Sequence, residues 1–269
     1  MYFNPNYSNP TTALEVVSFI LGWSYFLAWS VSAYPQIILN YTRKSVVGLS
    51  IDFAYLSTLG FFFYSLYNLG FYFFDSIKAQ YYAANHSPVL IMLNDVFFSL
   101  HALITCLVVI YQCCIYTRSP SQNLSKPALA FIYGSISIAA LAFIFAPLYK
   151  ALIISSYFKL ILTITKYIPQ VYTNYTRKST EGWSVHNVLL DFTGGIFSIS
   201  QLAVDSIIAG NILLMFDNPG KMFLSLISIA FDLVFIVQHY VLYRFPVDYS
   251  FVNPPRRNSN DPITSSSMV

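Results

Sequence analysis

Apolar runs follow one another with little pause from residue 13 to residue 242, interrupted only by short polar turns. A helix crosses a bilayer with about 20 consecutive, mostly apolar residues. The pattern predicts seven such helices, at 13–38, 51–74, 89–116, 127–148, 152–174, 184–209 and 220–243. Polar punctuation separates them at 40–45, 75–87, 117–126, 147–150, 175–182 and 217–221. The expected fold class is an all-α membrane protein. The first run is expected to insert and stay, with no cleaved leader. After residue 243 the chain turns polar and proline-rich, which predicts a disordered tail.

A self-match organises these runs. The stretch PQIILNYTRKSVVGLS, starting at Pro35, returns as PQVYTNYTRKSTEGWS, starting at Pro169, an offset of 134 residues (169 − 35). Within it NYTRKS is identical at 40–45 and 174–179. Self-similarity at a fixed spacing marks a duplicated structural unit. Helix 1 maps onto helix 5, an even number of crossings later, so both copies share one membrane orientation. The architecture predicted is 3+1+3: two parallel three-helix bundles, 13–116 and 151–243, joined by a linking helix 4 with its loops at 117–150. Residues 1–12 form the N-terminal segment and 244–269 the tail. Parallel repeats of this kind occur in transporters, with the site at the repeat interface near the midplane.

Composition narrows the class further. Charged residues make up 9% of the chain and apolar ones 56%, whereas soluble domains carry roughly 25% charged residues. The net charge of +3 does not point to nucleic acid, because the basic residues sit in short loops. If the loops after helices 1, 3 and 5 and the tail face the cytosol, they hold Arg43, Lys44, Arg118, Lys126, Arg177, Lys178 and three tail arginines; the opposite loops hold Lys78, Lys150 and Lys221. That bias places the N-terminus in the lumen or exterior and the C-terminus in the cytosol. The glycosylation patterns at Asn6 and Asn85 fall on the non-cytosolic side. Cys106, Cys113 and Cys114 share one predicted helix, which favours buried thiols over disulfides or zinc. No nucleophile arrangement, metal cluster, cofactor motif or phosphate loop is apparent, so neither an enzyme nor a cofactor is expected.

Two kinds of residue carry the candidate chemistry. Proline in a membrane helix removes a backbone hydrogen bond and kinks the helix, and Gln36 and Gln170 offer polar partners nearby. Pro35–Gln36 and Pro169–Gln170 therefore read as two hinges, or else as two static helix ends; the matched positions favour hinges. Ionisable residues inside a membrane are the second kind, because each is expensive to insert. They are Asp52, Asp95, Lys159, Lys166, Asp191 and Asp232, with Asp205 and Glu15 at the margins. Asp191 lies mid-helix, one turn after Asn187 on the same face and just before Gly194 and Gly195. Lys159 and Lys166, seven residues apart, share a helix face. That face suits an anionic or zwitterionic ligand, unless Lys166 simply pairs with Asp191. Asp95 is placed to relay protons or to face water beside the headgroups. Asp232 reads equally as a coupling or a packing residue. Asp52 is expected to cap helix 2, Tyr167 to wall the cavity, and His101 and His239 to be packing residues.

The duplicated Pro-Gln motifs resemble those of the PQ-loop family. The stretches NDVFFSLHA (94–102), KSTEGWS (178–184), NVLLDFTGG (187–195) and FDLVFIVQHYVLYR (231–244) are similar to its cystinosin-type lysosomal cystine transporters. That resemblance implies proton-coupled export of L-cystine from an acidic lysosomal or vacuolar lumen into the cytosol. It favours proton coupling at Asp191 and Asp95, with Asp232 a third coupling candidate; with cystine as the ligand, Lys166, Lys159, Asn187, Asp191 and Tyr167 are the candidate substrate-binding residues. It also raises the tail motif of Tyr249 to Val252 as a sorting signal for endolysosomal adaptor proteins. One departure stands out: Ser57 occupies a place where cystinosin-type sequences have asparagine. The alternatives are a PQ-loop exporter of cationic amino acids or another small solute, and a non-transporting seven-helix receptor.

Overall fold

The computed structural model describes residues 12–86, 91, 93–208, 210–211, 215 and 219–244. The candidates Asn6, Tyr249 and Val252 lie outside the described residues. Local chemistry sets where helices start. Helix α1 (Ala13–Arg43) opens on a capping box, in which the Thr12 hydroxyl accepts from the Glu15 amide and the Glu15 carboxylate accepts from the Thr12 amide. Glu15 is thus part of the first-turn cap of α1. Helix α2 (Ile51–Phe73) is capped by Ser50. Asp52 is not that cap: its carboxylate accepts from the Ser125 amide at 2.8 Å, tying α2 to the start of α5 (Lys126–Phe145).

The remaining helices are α3 (Asp75–Asn85), α4 (Leu93–Ile115), α6 (Leu148–Thr165), α7 (Tyr167–Arg177), α8 (Val185–Ile208) and α9 (Pro219–Val237), the last extended by a π-helical turn at Gln238–Leu242. Among the described residues, six segments are long and apolar enough to cross a membrane: α1, α4, α5, α6 continued by α7, α8, and α9 with its π-turn. The predicted span at 51–74 is α2, which has 23 residues but is diluted by serines, tyrosines and Asn68. The physical reason is its position. Helix α2 packs on α4, α6 and α7, so many of its side chains face protein rather than lipid.

Two further differences follow from the same logic. Residues 75–85, expected as a polar turn, form helix α3, because Ile77 is buried in a cluster with Phe71 and Leu152. The run predicted as one helix at 152–174 is divided at Lys166 into α6 and α7, although Lys166 itself keeps right-handed helical angles. Pro169 follows this division and has no N–H with which to reach the Thr165 carbonyl. Helix α1, in contrast, runs unbroken through Pro35.

Helices α1 and α2 both pack on α4, α8 packs on α9, and α5 packs on α6 and α2. Two seams join the halves of the chain: α1 lies along α8, and α2 along α6. The space between these seams is the site.

Candidate substrate-binding cavity

At the end of the helices carrying the basic turns, the two copies of the repeated motif interlock. Each copy ends its helix on a left-handed lysine, Lys44 or Lys178, and then makes a glycine turn. Gly48 has φ +105° and Gly182 φ +92°. A Cβ on Gly48 would lie 1.9 Å from the Glu181 carbonyl oxygen, and one on Gly182 would lie 1.9 Å from that of Val47. Each loop is therefore seated against the other by glycine alone. The motif glutamines fasten them. Gln36 donates to the Gly182 carbonyl and accepts from the Ser184 amide; Gln170 donates to the Gly48 carbonyl and accepts from the Ser50 amide. The expected role of these glutamines, local partners for a kinked helix, is replaced by bonds across the molecule. Arg43 adds an ion pair to Glu181 at 2.8 Å.

Behind this interlock lies a cavity of about 510 Å³. Its walls include Asp95, Lys159, Lys166, Tyr167, Asn187 and Asp191, six of the residues singled out in the sequence. The close approach of α1 and α8 shapes one wall. Trp29 Nε1 donates to the Asp191 carbonyl at 3.1 Å, and a Cβ on Gly194 would lie 2.5 Å from the indole. Asn187 donates to the Ser32 carbonyl, which turns its amide toward α1.

The Asp191 carboxylate accepts two hydrogen bonds at Oδ2, from the Tyr167 hydroxyl at 2.8 Å and from the Ser228 hydroxyl at 2.9 Å. The Tyr167 ring stacks on Phe231 with centroids 5.1 Å apart, so the hydroxyl is held at a fixed position. Lys166 makes no ion pair with Asp191; among the described residues the ion pairs are Arg43–Glu181 and Lys78–Asp75. Lys166 instead lies 4.5 Å from the Tyr167 ring centroid, and Lys159 lies 3.8 Å from that of Phe61. Aromatic faces stabilise an ammonium without neutralising it. The cavity is thus lined by two lysines, Lys159 and Lys166, and two acidic side chains, Asp95 and Asp191.

Asp232 stands apart. It is fully buried and is not part of the cavity wall. Ser228 bridges it to the site, with 3.3 Å from the serine hydroxyl to Asp232 Oδ2, while Oδ1 has no hydrogen-bond partner. Asp205 is also outside the wall, where its carboxylate accepts from the Ser18 hydroxyl of α1. His101 does line the cavity, 2.7 Å from the Tyr34 hydroxyl, while His239 bonds to Thr180. The cysteines are free thiols: Cys106 is on the cavity wall and Cys113 is buried, whereas Cys114 is exposed and not buried as expected. Asn85 is exposed at the last position of α3.

Ser57, marked in the sequence as a departure, is on the wall, and so is Trp183, which sequence reasoning missed. Ser57 Oγ and Trp183 Nε1 are buried without hydrogen-bond partners. Ser228 is missed as well. Its signal was a polar stripe on an otherwise apolar helix, since Ser225, Ser228 and Asp232 recur at helical spacing on one face.

Comparison with known proteins gives the arrangement a lineage. The PQ loop repeat matches at residues 17–77 and again at 151–207. Bovine cystinosin is 44% identical over 94% of this chain and 73% of its own length. A Dictyostelium discoideum cystinosin homolog is 41% identical over 90% of this chain and 87% of its own. The chain belongs to the cystinosin branch of the PQ-loop family. This is a family of membrane transporters and not of enzymes, and a Saccharomyces cerevisiae member described as a cystine transporter is 30% identical over 82% of this chain. The two PQ-loop repeat matches begin 134 residues apart (151 − 17), the offset of the motif pair. The cavity of this PQ-loop protein draws Lys159, Lys166 and Asp191 from the second half and Asp95 and His101 from the first.

Proposed function

We propose that the protein is a proton-coupled transporter that exports L-cystine from a lysosomal or vacuolar lumen to the cytosol by alternating access. The observation that carries this reading is the cavity's charge pattern. Two lysines without carboxylate partners among the described residues and the carboxyl group of Asp191 line one space of about 510 Å³. Cystine has two ammonium and two carboxylate groups, so Lys166 and Lys159 suit its carboxylates while Asp191 and Asn187 suit an amine. Cationic amino acids fit less well, because two lysine ammonium groups would oppose a second positive charge. Neutral sugars would leave all these charges unpaired, which is costly in a membrane interior. The related names bovine cystinosin and yeast cystine transporter support the same cargo.

The 3+1+3 arrangement supplies the moving parts in this reading. Helices α1, α2 and α4 form one bundle and α6–α7, α8 and α9 the other, with α5 linking them. The basic-turn end, taken as cytosolic by its charge, is the gate held shut by the glutamine interlock. Pro35 and Pro169 act as hinges near that gate. Protonation of Asp191 from the acidic lumen, with Asp95 on the way and Asp232 behind, drives the transition. Asn85 is the glycosylation site on the lumenal side among the described residues. Asn6 on the same side, and the tail signal at Tyr249 and Val252 for adaptor proteins, complete the proposal.

The test is uptake of labelled cystine, lysine and glucose into proteoliposomes with and without an imposed pH gradient. Gradient-driven uptake of cystine in preference to both others is expected, and its loss in Asp191→Asn. Equal uptake of lysine would favour the cationic cargo, and binding without uptake would favour a receptor.

A further inference from the structure

A serine hydroxyl between two carboxyl groups has a simple hydrogen-bond logic. Ser228 carries one proton to donate and lies 2.9 Å from Asp191 Oδ2 and 3.3 Å from Asp232 Oδ2. Both contacts are hydrogen bonds only if one carboxyl is protonated and donates to Ser228, while Ser228 donates to the other. Two such arrangements exist, and they differ by one proton. In the first, Asp191 is neutral and Asp232 is a carboxylate; in the second, Asp191 is a carboxylate and Asp232 is neutral.

We propose that Ser228 is the relay that passes a proton between Asp191 on the cavity wall and Asp232 behind it. The step balances internally. Asp191 gives its proton to Ser228 Oγ as the Ser228 proton moves to Asp232 Oδ2, so the serine is unchanged and one proton has moved. Geometry favours this assignment on three counts. Ser228 lines the cavity and Asp232 does not, so the serine is the polar link between them. Ser228 and Asp232 are four residues apart on α9, which fixes their facing. Tyr167 donates to the same Asp191 oxygen, which holds that oxygen in place while the proton leaves.

The ionisable groups around this relay are Asp191 from α8, Asp232 from α9, Tyr167 from α7, Lys159 from α6 and Lys166 at the α6–α7 junction. From α4, Asp95 and His101 line the same cavity. With the proton on Asp232, the cavity presents an anionic Asp191 to a substrate ammonium. With the proton on Asp191, that attraction is switched off. The relay therefore changes the cavity's charge by one unit with no helix movement, and it makes Ser228 a positioning residue for coupling.

This inference rests on the proton-coupled reading above, and the experiment separates the two. Proteoliposomes containing the full chain would be loaded with a pH-sensitive dye and given labelled cystine at a series of lumenal pH values. In Ser228→Ala, the rate of cystine-driven proton movement is expected to fall on the order of 100-fold, the lower range for loss of a positioned proton-transfer group. The pH profile of uptake should flatten at the same time. Ser228→Thr, which keeps the hydroxyl, should retain both. If Ser228→Ala does not fold, Ser228→Cys, with a poorer donor and acceptor, is expected to show the same flattened profile. A coupled wild type with an equally coupled Ser228→Ala or Ser228→Cys overturns the relay alone. A wild type that moves cystine without protons overturns the coupling and the relay together.

Discussion

Gln36 and Gln170 exchange partners: each motif glutamine binds the loop that follows the other's helix. Gln36 Oε1 accepts from the Ser184 amide at 2.8 Å and Gln170 Oε1 from the Ser50 amide at 2.6 Å. Their amide nitrogens donate to Gly182 at 3.0 Å and Gly48 at 2.9 Å. Each also donates to an asparagine four residues on, Asn40 or Asn174. All hydrogen-bonding protons of both side-chain amides are thus used, and every partner is buried or in the interlock. The duplication builds one clasp out of two halves that bond in the same way.

The clasp predicts a matched pair of variants. Gln36→Ala leaves the Ser184 amide unpaired, and Gln170→Ala does the same to the Ser50 amide. Each should lower stability by about 1–3 kcal/mol, the usual result of stranding a buried polar group. The double variant should fall short of the sum, since both act on one interface. Melting temperature of the detergent-solubilised protein measures this; unchanged melting in either single variant contradicts the clasp.

Replacing either loop glycine should be worse. Gly48→Ala and Gly182→Ala combine a left-handed backbone with a Cβ placed 1.9 Å from a carbonyl oxygen of the opposite loop. Expulsion of one loop from the other is expected, read as loss of monodisperse protein by size-exclusion chromatography. Gly134→Ala is the control, because nothing lies within 4 Å of the added methyl.

Lys166 should matter to ligand and not to fold. It has no ion pair to lose among the described residues, so Lys166→Gln should leave the melting temperature near that of the wild type. Loss of a charge-assisted bond to a substrate carboxylate, worth about 1.5–3 kcal/mol, should raise the KM for cystine at least tenfold. Initial uptake rates against cystine concentration provide the check, and an unaltered KM removes Lys166 from the site.

The two motif prolines should differ. Pro169 sits just after the break between α6 and α7, whereas α1 is continuous across Pro35. Pro169→Ala supplies the N–H that the Thr165 carbonyl lacks and should close the break. Turnover is expected to fall in both variants, more in Pro169→Ala, while membrane insertion stays intact. Uptake normalised to inserted protein decides this; if both retain wild-type turnover, the hinge role would be disproved.

Much of this protein was legible as sequence because the bilayer leaves few choices. Lipid satisfies no backbone group, so long apolar runs must be helices. The repeated PQ and NYTRKS strings likewise announced a duplicated unit, and rare ionisable residues such as Lys166 and Asp191 announced the cavity. What linear spacing did not contain was contact between distant positions. That Gln36 reaches residues 182 and 184, that Lys166 stands clear of Asp191, and that Ser228 joins two carboxyl groups are consequences of how α1 meets α8 and α9 meets α7 and α8. Polarity along a chain dictates which segments cross the membrane. Which polar groups then find one another depends on helix packing, because hydrogen bonds act only at about 3 Å.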